Sequence, residues 1–202
     1  MLKNIIASIA VLGATVSIAA LGTFATFTSS TAADQASLAT GSVSIALGEA
    51  GPANRLTLGA SGLLPGDTMQ RVVNLSNSGV AGSDNLGSVT LTTTAATSSL
   101  LDTDATNGLR VAIDKCSQAW TESGTAPAFT YTCGGTTSSV LAERAVIGSN
   151  LALANLASLA AGQTDHLRVT LTLPASAPNA MQGLSSQLTY TFTGTQRTAT
   201  SK

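Results

Sequence analysis

The chain has 202 residues, of which 44% are hydrophobic, 9% charged and 3% aromatic, with a formal net charge of −1. Disordered chains combine low hydrophobicity with high net charge, so this composition predicts a folded protein, and the length fits one domain. The nine cations are scattered and form no basic patch, which excludes nucleic acid as an expected partner. A nearly neutral surface rich in Thr and Ser favours self-association, because net charge helps keep proteins apart in solution.

The N-terminus has the layout of a signal peptide. Lys3 supplies a short positive region, and a helix-compatible apolar run follows over Ile5–Leu21. Small residues come next, so cleavage after Ala25 or after Ala33 fits the pattern. The alternative is an uncleaved anchor, because the apolar run is nearly long enough to cross a bilayer. The small residues favour cleavage, so we expect a secreted or cell-surface protein without a stable membrane anchor.

Two different segments follow the apolar run. Residues 26–36 are mostly Thr, Ser and Ala and show no burying pattern, which predicts a flexible N-terminal arm. Val43, Ile45 and Leu47 then alternate with small residues, and a period of two predicts a half-buried strand. Only the arm is therefore free to reach a neighbouring molecule. The strand is expected to belong to the chain's own domain, over residues 37–194.

The rest of the domain is a series of short alternating segments broken by Gly, Pro, Asn and Asp. Residues 138–161 fit either a short helix or strands, and 195–202 form a polar tail. No long amphipathic helix and no βαβ rhythm appears, so the pattern predicts an all-β protein, an antiparallel jelly-roll β-sandwich preceded by a helical signal peptide. The predicted strands are Arg55–Leu58, Met69–Ser76, Leu86–Thr94, Leu109–Cys116, Ala128–Cys133, His166–Leu173 and Gln187–Thr193.

The two cysteines predict one disulfide, Cys116–Cys133, because exported proteins with paired cysteines usually oxidise them. The bond would join the strands ending at the two cysteines, which we take as partners, or the loop between them. Trp120 lies in that loop, as a packing residue. Closing a loop of this size stabilises a fold by about 3 kcal/mol. A catalytic cysteine is the alternative, and its only possible His partner is His166.

Candidate catalytic and metal-binding groups are few. His166 is the single His, whereas a zinc protease of the His-Glu-x-x-His type needs two on one helical face. A Ser-His-Asp site using Asp165 is disfavoured, because adjacent strand residues point to opposite faces. Residues 102–108 begin like a calcium loop, but the Gly falls one place late, which leaves a polar turn. We therefore expect no catalytic residue, no cofactor and no metal site.

Several short motifs occur in a recognisable order. They are Gly22–Phe27, Leu38–Ile45, Leu64–Asp67 and Asn74–Asn77, and two further motifs are Cys116–Trp120 and Leu188–Phe192. The order of the first four resembles that of the TasA/camelysin family of exported Gram-positive matrix and surface proteins. The last two motifs are similar to those of actinobacterial members.

The resemblance implies both a processing step and a mode of assembly. A SipW-like signal peptidase would cut within the aromatic motif, here between Ala25 and Thr26. The family fold is a jelly roll, and TasA-like proteins form extracellular fibres in biofilms, in which the N-terminal strand of one subunit completes the sheet of the next. Such strand addition uses backbone hydrogen bonds and needs no distinctive side chains. The corresponding assembly residues in this chain are Thr26, Phe27, Leu38, Val43 and Ile45.

We therefore expect a secreted structural protein, a subunit of extracellular or biofilm-matrix fibres, and not an enzyme. Self-association into a homopolymer is the expected partnership. Other family members are described as surface metalloproteases, so a camelysin-like cell-surface metalloprotease is the first alternative. This alternative predicts tightly bound zinc and chelator-sensitive cleavage of casein. A surface binding or adhesion module is the second alternative.

Overall fold

The computed structural model describes residues 28–31, 45–47, 51–54, 56, 59–81 and 84–198, and the structural statements below concern these residues. The predicted signal peptide over residues 1–25 lies outside them. The strands are β1 (Thr28–Thr31), β2 (Ile45–Leu47), β3 (Gly59–Ser61), β4 (Thr68–Asn77), β5 (Leu86–Thr97), β6 (Arg110–Cys116), β7 (Trp120–Thr125), β8 (Ala128–Cys133), β9 (Thr137–Ala145), β10 (Gly148–Ala152), β11 (Thr164–Thr172) and β12 (Ser185–Gln196). One helical turn, α1 (Leu100–Thr103), and a 3₁₀ turn (Asn179–Met181) accompany them.

Two antiparallel sheets make up most of the described chain. Sheet I has the order β1–β12–β5–β10, and β3 also pairs with β12. Sheet II has the order β2–β4–β11–β6–β9. Strands β7 and β8 pair with each other in a separate hairpin. This architecture confirms the predicted all-β antiparallel sandwich.

The core lies between the two sheets and follows the alternation seen in the sequence. On β11, Leu167, Val169 and Leu171 are fully buried, while the residues between them are partly exposed. On β12, Tyr190 and Phe192 are fully buried and alternate with half-buried Thr residues. Period-two burial on both strands is expected when each sheet packs one face on the core and leaves the other in water.

Most of the predicted strands coincide with observed strands, as β4, β5, β6, β8, β11 and β12 show. The ambiguous region 138–161 contains strands β9 and β10, followed by turns. The prediction for Arg55–Leu58 falls mainly on residues outside the described part of the chain. Of the predicted polar tail, Thr195 and Gln196 belong to β12.

Two predictions around the disulfide were wrong. Trp120 does not lie in a loop but begins β7. Strand β8 pairs with β7 and not with β6, whose neighbours are β11 and β9. The reason is that β7, with the sequence Trp-Thr-Glu-Ser-Gly-Thr, has no apolar alternation to identify it as a strand. The Cys116–Cys133 disulfide itself is present, with the two Cα atoms 5.7 Å apart.

Candidate functional site

The N-terminal segment forms one edge of sheet I. Strand β1 runs antiparallel to β12, with Thr28 opposite Thr195 and Thr31 opposite Phe192. The other side of β12 pairs with β5, so β1 and β3 lie end to end along the same edge of β12. The segment predicted as an arm without a burying pattern thus contains four residues that pair with their own sheet. An edge strand can form through backbone hydrogen bonds alone, without an apolar face.

Strand β2 forms one edge of sheet II. It pairs with β4, with Ile45 opposite Asn77 and Leu47 opposite Leu75. Ile45 is 3% exposed and belongs to the main core. A Cβ atom on Gly194 of β12 would overlap Cδ1 of Ile45, so the glycine makes room for this side chain. Ile45 therefore connects the edge of sheet II with the β12 segment that carries β1.

The predicted site residues divide between the described and undescribed parts of the chain. Ala25, Thr26, Phe27, Leu38 and Val43 lie outside the described residues. Ile45 is the member of the predicted assembly set that the structure places, and it is buried in its own sandwich. Sequence reasoning missed Gly194. Gly194 directly follows the predicted strand Gln187–Thr193, and the structure places it inside β12, where a Gly often marks a close approach of another group.

The edges of the two sheets differ in how well they could accept another strand. Strand β9 carries Glu143 and Arg144 and pairs with β6 through two register irregularities. Strand β10 contains an irregularity at Asn150, whose φ of 52° is left-handed. The pairing of β1 with Phe192–Thr195 is continuous and involves no charged residue. Charges and bulges protect edges from further pairing, and the β1–β12 pairing has neither.

The adjacent residues Asp165 and His166 lie on opposite faces of β11. The Nδ1 atom of His166 is 2.7 Å from Oδ1 of Asn74. Asp165 is 3% exposed and accepts hydrogen bonds from the backbone N–H groups of Ser158 (2.7 Å) and Ala157 (3.0 Å) and from Lys115 Nζ (3.2 Å). His166 and Asp165 thus have different hydrogen-bond partners on the two faces of β11.

Asp165 is an anchor between β11 and the loop before it. Burial alone would raise the pKa of this carboxyl, but the hydrogen bonds from Ser158, Ala157 and Lys115 outweigh it and lower the pKa below its ordinary value. The carboxylate is therefore the stable form. It fixes the loop over the sheet and has no proton to give in neutral solution.

The acidic segment 102–108 is also structural. Asp102 forms a capping box with Ser99 at the start of α1 and accepts a hydrogen bond from Ser186 Oγ at 2.5 Å. Asp104 accepts from the backbone N–H groups of Thr106 and Asn107, both at 2.9 Å. Asp102 thus caps α1, and Asp104 stabilises the turn that follows, within the segment predicted as a polar turn.

The described part of the chain brings together few side chains that could bind a metal ion. No group of three or more His, Cys, Asp or Glu side chains comes together there in a way that could hold a metal ion. Both cysteines are in the disulfide, and the chain's single His is bonded to Asn74. A catalytic zinc site usually has three protein ligands. The described residues therefore do not fit one.

The described residues form an all-β sandwich in which the first described strand, β1, lies at the edge of a sheet. The family model described as camelysin metallo-endopeptidase matches residues 1–201, and the chain belongs to that family. No curated protein and no solved structure matches it. Among the described residues, no helix is both long and apolar enough to cross a membrane.

Proposed function

We propose that this protein is an exported structural subunit that joins its neighbours by exchanging the N-terminal strand. In the assembled form, β1 of one copy would pair with β12 of the next. The observation that carries the proposal is the pairing of β1, an uncharged segment of Thr and Ser, along the edge of β12. Family membership agrees with export, because camelysin-family proteins are surface or exported proteins.

Exchange is feasible because a second copy offers β1 the same edge as its own sheet, and the additional cost is the entropy of association. The same residues would make the same backbone hydrogen bonds with β12 of a second copy. The balance between the two forms then depends on protein concentration and on the connection to β2. The segment between the two strands, residues 32–44, could span roughly 40 Å if extended, at about 3.3 Å per residue. This reach is comparable to the width of a small domain.

The geometry of such an exchange favours a polymer. Each copy has one donor strand and one acceptor edge, so the contact between two copies is head to tail. A heterologous contact of this kind gives a ring if the rotation closes and an open filament if it does not. Filaments, as parts of an extracellular or biofilm matrix, are the function that this arrangement supports best.

Deleting β1 while leaving the core intact tests the proposal. One variant begins at Thr26, and a second lacks residues 26–31 but keeps the buried Ile45. We expect filaments by electron microscopy for the first protein and a folded monomer by sedimentation for the second. A third variant lacking the polar tail after Arg197 is the matched control and should still polymerise. Filaments from the second variant would show that β1 is not the connecting strand.

The family description supports a second candidate, a surface metallo-endopeptidase. The single His of the chain argues against a zinc protease with a two-His motif, and we propose that the protein is not an enzyme. The deciding measurement is the metal content of the purified protein together with its cleavage of casein. Tightly bound zinc with cleavage that a chelator abolishes would establish the protease instead.

A further inference from the structure

The hairpin formed by β7 and β8 covers the outer face of sheet II, and its buried contacts are separate from the sandwich core. We call residues 120–133 the hairpin cover. Val72 and Val73 are neighbours on β4, and both are 2% exposed, so both faces of this strand are covered. Val73 belongs to the main core cluster, whereas Val72, Cys116 and Tyr131 are buried outside it. The hairpin cover therefore has its own small core.

The hairpin cover is attached to β11 through Trp120 and Arg168. The indole Nε1 of Trp120 donates to the backbone oxygen of His166 at 2.9 Å. The guanidinium of Arg168 lies over the Trp120 ring, 4.4 Å from its centroid, and also donates to Asp114 Oδ2 at 3.1 Å. These contacts come from side chains, and they would separate without disturbing the backbone pairing of β11.

The attachment to β4 is of the same type. The backbone N–H of Tyr131 donates to Oε1 of Gln70 at 3.3 Å, and Nη2 of Arg71 donates to the backbone oxygen of Pro127 at 3.2 Å. Among the described strands, β7 and β8 pair only with each other. A two-stranded hairpin is marginally stable by itself in water. A covalent tie is therefore important in keeping the cover closed.

The tie is the Cys116–Cys133 disulfide, which joins the end of β6 to the end of β8. Cys116 is 3% exposed, whereas Cys133 is partly exposed, so we take Cys133 as the residue that a reagent attacks. We propose that this disulfide is a redox-sensitive lock on the hairpin cover. Reduction would open the cover and expose the face around Val72, while the sandwich beneath stays folded.

The chemical step is thiol–disulfide exchange with a small dithiol. A thiolate of the reductant attacks Sγ of Cys133, the bond to Cys116 breaks, and Cys116 leaves as a thiolate that takes up a proton. The second thiol of the reductant then releases Cys133. Two electrons and two protons pass to the protein, and the reductant becomes a disulfide.

Hydrogen exchange of the full chain with and without dithiothreitol tests the lock. A cross-link across a loop of this size changes an opening equilibrium by about a hundredfold, so exchange at the amides of β7 and β8 should accelerate by roughly that factor on reduction. Amides of β11 and β12 should keep their protection. Trp120, the single Trp, gives a second readout, because its fluorescence should become more accessible to iodide.

A Cys116→Ser/Cys133→Ser double variant provides the control. It should exchange like the reduced protein and should not respond to the reductant. If reduction leaves the amides of 120–133 protected, the lock does not exist. If β11 and β12 lose protection together with the hairpin, the disulfide supports the whole domain and the proposal fails. The hydrogen-exchange comparison uses the natural chain itself, before and after reduction, so it remains decisive even if the double variant does not fold.

Discussion

Strands β11 and β1 show two ways in which this chain makes a strand. Strand β11 lies between β4 and β6 and buries Leu167, Val169 and Leu171 completely. Strand β1 has one described neighbour for its backbone, β12, and consists of two Thr and two Ser residues. Strand β11 is specified by its buried side chains, whereas β1 is specified by its backbone pairing with β12.

This difference bears on function. A strand that buries three apolar side chains cannot leave without opening the core, since each such side chain contributes about 1.5–3 kcal/mol through burial. A strand held by backbone hydrogen bonds can pair equally well with any identical edge. The proposed strand exchange therefore requires only that β1 leave its sheet, while the core with β11 stays intact.

The largest expected effect is the loss of core packing in β11. Leu171→Ala should lower the free energy of unfolding by about 2–5 kcal/mol, because it removes a fully buried side chain and leaves a cavity. Removing β1 should cost far less, since no apolar side chain goes with it. Urea denaturation of both variants measures the difference. Equal losses would mean that β1 is as much a part of the core as β11.

The next largest effect on stability is expected at Gly194, where β12 meets Ile45 of β2. Gly194→Val should lower stability by about 1–3 kcal/mol, because the new side chain overlaps Ile45. Thr193→Val, at the next position on β12 and partly exposed, is the matched control and should be nearly neutral. Adding Ile45→Ala to the Gly194 variant should recover part of the loss, since the two residues share one space. Simple additivity of the two changes would argue against the contact.

The sequence predicted those parts of the fold where burial alternates. His166–Leu173 and Gln187–Thr193 coincide with most of β11 and β12, because one face of each strand meets the core. The alternation does not reveal which strands are neighbours, so β8 was paired with the wrong partner. Strand β7 lacked any pattern, because only Trp120 and Glu122 of its six residues are partly buried.

The candidate site was predictable only in outline. The cysteine count identified the disulfide, and the apolar alternation placed Ile45 in a strand of its own domain. Strand β1 consists of two Thr and two Ser residues without apolar alternation, so its sequence does not identify it as a strand. The inward position of Asp165, in line with Leu167 and Val169, was a visible signal of a buried anchor. Its partners are the backbone of the loop before β11 and Lys115 of β6, and the sequence does not show that β6 lies beside β11.

The stability that Asp165 contributes to β11 should depend on pH, whereas the contribution of β1 should not. The folded-state pKa of this carboxyl lies below its ordinary value of 3.8, because hydrogen bonds from Ser158, Ala157 and Lys115 outweigh burial. A lowered pKa means that the carboxylate stabilises the fold above the unfolded-state value and loses this contribution as pH falls through the folded-state value. Asp165→Asn should therefore cost about 1–3 kcal/mol at neutral pH.

The difference in unfolding free energy between the natural chain and the Asp165 variant should shrink when urea denaturation is repeated at a pH below the folded-state pKa. Residues 28–31 contain no ionisable side chain, so the small cost of deleting β1 should stay the same over this range. An Asp165→Asn cost that does not change with pH would mean that the carboxylate acts through its shape rather than its charge. A pH-dependent cost for deleting β1 would mean that the pairing of this strand is energetically coupled to a titrating group elsewhere in the fold.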